Sequence, residues 1–193
     1  MTDYTPQIDQ IRHAKSLEEI RDIARQFSAK AAGEDGILYS RPVGNVSSEK
    51  IALELAGKTD LPIINKTPRA QFLSDSNVER VIRDSAERIF QSQGQPLRAA
   101  EKLAVSFQYG DPKAAINSLT SLEGCLWGDA SREFAASMRG DIKVIATAAN
   151  MDRVFGKVEL PTILNNPDVK TLGGQPIAHL RDIAARDGTQ ALL

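Results

Sequence analysis

The run Ile142-Lys143-Val144-Ile145-Ala146 constrains the fold more than any other segment of the chain. It is nearly all apolar, too short for a helix, and follows a helically spaced segment that Gly140 closes. That is the pattern of a parallel strand covered on both faces, and parallel strands need helical crossovers between them. A similar run, Ile37-Leu38-Tyr39-Ser40, is stopped by Arg41-Pro42 and delivers Tyr39, Ser40 and Arg41 to a loop. Val169 to Leu172 is a candidate last strand. Leu61 to Ile64 is weakly strand-like, with Pro62 making it an edge or a strand start.

Helices surround these runs. Ser16 and Glu19 form a capping box, after which Leu17, Ile20, Ile23, Ala24 and Phe27 recur at helical spacing towards Gly33 and Gly36. Ser47 opens a second helix, with Val46 and Ile51 at the staple positions, that fades at Gly57. Val78, Val81, Ile82, Ile89 and Phe90 mark another, and two more are expected around Leu97 to Phe107 and from Asp111-Pro112 to Leu119. Trp127, Ser131, Phe134 and Met138 share one helical face, with Gly140 expected at C′; Ile177, Leu180 and Ile183 mark a terminal helix. The expected fold is therefore α/β, with a helical N-terminal half and a short, mostly parallel sheet flanked by helices in the C-terminal half. Residues 1–193 are expected to form one domain, its helical part about 1–36 and 75–121, its sheet-bearing part about 37–74 and 122–193.

The chemistry open to such a chain is narrow. At 193 residues, 41% apolar and 25% charged, it can bury a core without staples, which excludes disorder. A net charge of −1 gives no electrostatic footprint for nucleic acid or an anionic membrane. With Cys125 the one cysteine and His13 and His179 the two histidines, an intramolecular disulfide and a Cys/His zinc cluster are both excluded. The first residues lack the apolar core of a secretory signal, and no run is long enough to span a bilayer, so the expected location is cytoplasmic without membrane insertion. Nucleotide-binding glycine fingerprints are absent. Carboxylates, hydroxyls, aromatics and arginines remain.

Among these, Glu159 stands between Gly156 and Pro161 just beyond a buried strand, where open parallel sheets place their ligand crevices; the plainer alternative is a solvated loop glutamate. Trp127 is either core or a stacking platform, and Ser131 one turn later either bonds a phosphate or faces water. Tyr39, Ser40 and Arg41 could set a ring, a hydroxyl and a guanidinium fork on an anion, or could simply end a strand in solvent. Cys125 has no basic neighbour in sequence and reads as a small buried hydrophobe.

Taken in order, Ile37 to Arg41, the L-W-x3-S-R-x-F-A string from Leu126 to Ala135, Ile142 to Val144 and the F-G-x-V-E string from Phe155 to Glu159 resemble the ADP-ribosyl cyclase family. That family includes cyclic ADP-ribose hydrolases of animals and NAD-degrading toxin domains of bacteria. The likeness is densest from Leu126 to Leu172, returns at Ile37 to Arg41, and is loose or absent before Ile37 and between Ser74 and Thr120. It implies that Glu159 is the catalytic glutamate, Trp127 a nicotinamide-stacking ring, and Ser131 a serine near the ribose and phosphates. Tyr39 takes the place of a second tryptophan, Ser40 and Arg41 hold phosphate, and Phe155 flanks the glutamate. The family's second acidic residue falls near Asn65, so an amide stands in its place, which bears on the choice between hydrolysis and cyclisation. The animal enzymes' disulfides cannot form here, which suits the bacterial, toxin-like branch.

The resemblance implies cleavage of NAD or NADP, as substrate rather than cofactor, to nicotinamide and ADP-ribose, with cyclic ADP-ribose as a minor product. No metal is needed. A toxin or effector of this kind implies an immunity protein and a dedicated secretion route into a target cytosol. Two other functions stay open: a catalytically degenerate relative that binds a nucleotide or a protein, and an ADP-ribosyltransferase.

Overall fold

The computed structural model describes residues 2–40, 45–94, 122–146 and 154–192. Arg41 and the two helices expected between Leu97 and Leu119 lie outside these residues. The fold is α/β, with helices flanking a four-stranded sheet in the C-terminal half. The chain divides into two compact units: residues 1–28 with 68–130, and residues 29–67 with 131–193.

The first unit is helical: α1 (Thr5–His13), α2 (Leu17–Arg25), α4 (Pro68–Leu73), α5 (Ser76–Ser92) and the first half of α6 (Leu122–Ser137). The Ser16 hydroxyl accepts the Glu19 N–H and so caps α2, as the capping box predicts. However, α2 stops at Arg25, well before Gly33. From Phe27 the chain is committed to packing, because its ring stacks on Phe72 at 4.4 Å while Tyr4 meets both edge-on. Asp75 caps α5, accepting the N–H groups of Asn77 and Val78. Val78, Val81, Ile82 and Ile89 are buried as the periodicity requires.

The second unit holds the sheet, in the order β1 (Gly36–Ser40), β2 (Gly140–Ala146), β3 (Val169–Leu172), β4 (Gln175–Pro176). β1 and β3 both run parallel to β2, and β4 turns back antiparallel through Gly173-Gly174. Asp141 and Lys143 are exposed, so the first half of β2 is covered on one face; only Val144 to Ala146 are partly covered throughout. Gly140 is the first residue of β2 rather than a helix C′. Its φ of +71° and the Asp35 side chain, which occupies the space a Cβ would need, demand glycine there. The Asp35 carboxylate accepts the Asp141 N–H at 2.7 Å, which ties the start of β2 to the approach to β1.

α3 (Ser48–Thr59) covers β1 and β2, burying Ala52 and Ala56 against Ile37 and Ile63. It begins at the expected Ser47 cap but runs through Gly57 and ends where Asp60 turns left-handed (φ +55°). Leu61 to Ile64 does not form a strand. Its one sheet-like contact is the bridge of Ile63 to Ile37, with the Pro62 carbonyl accepting the Ile37 N–H at 2.9 Å. A 3₁₀ turn, Ile64–Lys66, follows. Past β2, a π-helical turn (Phe155–Glu159) runs into α7 (Leu160–Asn165), and α8 (Ile177–Asp187) packs on β3. Among the described residues no helix is long and apolar enough to cross a membrane.

Candidate active site

Glu159 is buried, 7% exposed, at the last position of the π-helical turn and not in a loop. The sequence explains the turn. Pro161 has no N–H to return to the preceding turn, and Gly156 puts no side chain in the way of a wider coil. The Leu160 N–H therefore reaches back to the Phe155 carbonyl, five residues earlier. Phe155, Gly156 and Val158 are buried on this turn, and it lies against β1. Glu159 precedes α7 but makes no side-chain cap there, so its carboxylate is turned to other use.

Among the described residues the side-chain partner of that carboxylate is the Ser131 hydroxyl, which donates to it from α6. Ser131 is 4% exposed, so both groups are withdrawn from water together. Burial pushes the Glu159 carboxyl up to about 7, against the opposing effect of the serine hydrogen bond. Among the described residues no cation counters it. A buried carboxylate whose one partner among the described residues is a hydroxyl costs several kcal/mol in its ionised form, and packing alone does not explain it. Strongly perturbed acids of this kind cluster at functional sites.

The same unit places Tyr39 and Ser40 at the end of β1, against which the Glu159 turn packs. Ser40 is buried and Tyr39 half-buried, so neither ends its strand in solvent. Asn65, on the 3₁₀ turn, accepts the Tyr39 hydroxyl at 2.9 Å on its Oδ1 and donates through Nδ2 to Glu49 at 2.8 Å. Thus Tyr39, Ser40, Asn65, Ser131, Phe155 and Glu159 all belong to the second unit.

Trp127 belongs to the first unit, because the division falls within α6 after Ala130; it is half-buried, one helical turn ahead of Ser131. Asp129 of the same string is committed to Arg21 at 3.1 Å and Arg25 at 2.9 Å, a pair of ion bridges internal to the first unit. Glu49 was not among the residues singled out from the sequence. It stands in the first turn of α3, where an acidic residue is explained by the helix dipole alone, and only its contact with Asn65 marks it. His13 and His179 are exposed, and no group of three or more His, Cys, Asp or Glu among the described residues could hold a metal ion. A groove of about 580 Å³, lined by Pro161, Leu164, Asn165, Arg181 and Ala184 among others, takes in none of the candidate residues.

Trp127 admits a clean test of its role. Replacement by phenylalanine removes the indole but keeps an aromatic ring. A ring that only packs predicts a modest fall in melting temperature with unchanged kinetics. A ring that stacks on a substrate predicts a rise in KM or a loss of kcat with little change in melting; steady-state assays beside a thermal melt distinguish them.

No family model, curated protein or solved structure matches the chain.

Proposed function

We propose that this chain is an NAD glycohydrolase of the ADP-ribosyl cyclase type, with Glu159 as its catalytic carboxylate. The observation that carries the reading is the burial of Glu159 with the Ser131 hydroxyl as its partner among the described residues, on a turn packed against the strand that bears Tyr39 and Ser40. The two sequence strings behind the resemblance thus supply the two halves of one hydrogen bond, although they are far apart in the chain.

The chemistry follows from the residue types. The C1′–N bond between ribose and nicotinamide breaks, its electron pair leaves with the neutral nicotinamide, and positive charge develops on the ribose as an oxocarbenium-like centre. An ionised carboxylate in a water-poor setting stabilises that charge, and such a term is commonly worth several kcal/mol. Water then adds at C1′, loses a proton, and completes ADP-ribose; capture by the adenine ring instead gives the cyclic product. The Ser131 hydroxyl fixes the carboxylate's orientation, and Phe155 on the same turn helps to keep water from it. Asn65 is an amide already engaged by Tyr39 and Glu49, so ADP-ribose is the expected main product.

NAD binds this site as substrate, and the charge of its pyridinium favours the ionised form of Glu159. Release of nicotinamide from NAD by the purified protein, with the products separated by chromatography, tests the reading. Transfer of label from NAD to protein would instead favour an ADP-ribosyltransferase, and NAD binding without turnover a degenerate binding module.

A further inference from the structure

Glu49, Asn65 and Tyr39 form a chain whose hydrogen-bond direction is fixed from one end. A carboxylate can only accept, so the Asn65 side chain must turn its NH₂ group to Glu49, at 2.8 Å. Its carbonyl oxygen must then face Tyr39, and the Tyr39 hydroxyl must spend its proton on Asn65, at 2.9 Å. The bond to the carboxylate is charge-assisted but lies at the exposed end of the chain, whereas the Tyr39–Asn65 bond is partly buried.

The frame around the chain is well anchored. The 3₁₀ turn carrying Asn65 is held to β1 by the Pro62–Ile37 hydrogen bond and to α3 by the Lys66 ammonium, which donates to the Ala56 carbonyl at 3.1 Å. The Tyr39 ring packs on the cluster of Ile37, Ala52, Ala56 and Ile63. The backbone therefore needs nothing from Glu49.

We infer that Glu49 is a positioning residue for the site: through Asn65 it sets the donor direction and the pose of Tyr39, and thereby the fit of the nicotinamide–ribose portion of NAD. This rests on the reading of the site as NAD-cleaving. It differs from a surface role in one respect that can be measured. Glu49→Gln keeps an acceptor and loses the charge, Glu49→Ala removes the acceptor, and Glu49→Lys substitutes a donor that forces the amide to flip and Tyr39 to become an acceptor.

The test compares nicotinamide release and NAD affinity by calorimetry across these variants, in wild-type and Tyr39→Phe backgrounds. The expected KM rise is about tenfold for Glu49→Lys and smaller for Glu49→Ala, with Glu49→Gln restoring most of the affinity and Tyr39→Phe making all three substitutions silent. Equal kinetics for wild type and Glu49→Lys, or a Glu49→Lys defect that persists in full in Tyr39→Phe, overturns the inference and leaves the NAD-cleaving reading standing. If wild type binds NAD without cleaving it, that reading fails, and the affinities alone decide the role of Glu49. If wild type neither binds nor cleaves NAD, both fall.

Discussion

Glu159→Gln is expected to abolish nicotinamide release, by a hundredfold or more (an order-of-magnitude expectation), while the protein stays folded. The amide matches the carboxylate in size and can still accept from Ser131, so the packing of the π-helical turn survives. What is lost is the negative charge facing the developing oxocarbenium. Because charge is the difference between the two side chains, the loss should fall on kcat, with KM for NAD changed little. A variant with wild-type turnover would remove Glu159 from the reaction, however deeply it is buried.

The same substitution should stabilise the protein, and by an amount that depends on pH. In the folded chain Glu159 titrates at about 7, against an ordinary value of 4.5. Between these values the native state binds a proton that the unfolded state has released, so stability falls as pH rises. The stability is fully present below about pH 4.5 and is lost as pH passes 7. Glutamine does not titrate, so Glu159→Gln should match wild type near pH 4 and exceed it at pH 8 by about 3 kcal/mol. Urea unfolding of both proteins at the two pH values measures this directly. A stability gap independent of pH would mean that the carboxylate is solvated in solution, and a gap of opposite pH dependence would mean that it is paired with a cation. In the wild-type protein the same ionisation should make kcat/KM for NAD rise with pH through a midpoint near 7.

How far the sequence discloses this arrangement depends on the range of the interaction. The strands at Ile37, Ile142 and Val169 follow from short apolar runs, and the caps at Ser16 and Ser47 from local side-chain chemistry. α1 and α4, at nine and six residues, are too short to establish a period; their one local signal is a proline near the first turn, Pro6 and Pro68. Glycine misleads in both directions: Gly57 sits inside α3, and Gly33 lies well past the end of α2, where aromatic packing of Phe27 has already stopped the helix. The π-helical turn was readable only as a glycine and a proline bracketing Glu159. In sequence those residues read as the marks of a loop, because no helical period accommodates a five-residue return.

The site divides along the same line. That Glu159 and Ser131 are candidates came from the two strings and their resemblance to a family, but their shared hydrogen bond is tertiary and has no periodicity to announce it. Asn65 was placed by the same likeness, whereas Glu49, sixteen residues away, is joined to it only by the way the 3₁₀ turn folds over α3. A glutamate in the first turn of a helix is too ordinary to single out.

The most direct measurement is the simplest: purified wild-type protein and its Glu159→Gln variant incubated with NAD, with the products resolved by chromatography. The assignment predicts that wild type converts NAD to nicotinamide and a matching total of ADP-ribose and cyclic ADP-ribose, the cyclic product being minor, and that the variant leaves NAD intact. NAD left unconsumed by folded wild-type protein, or consumed equally by both proteins, would contradict it.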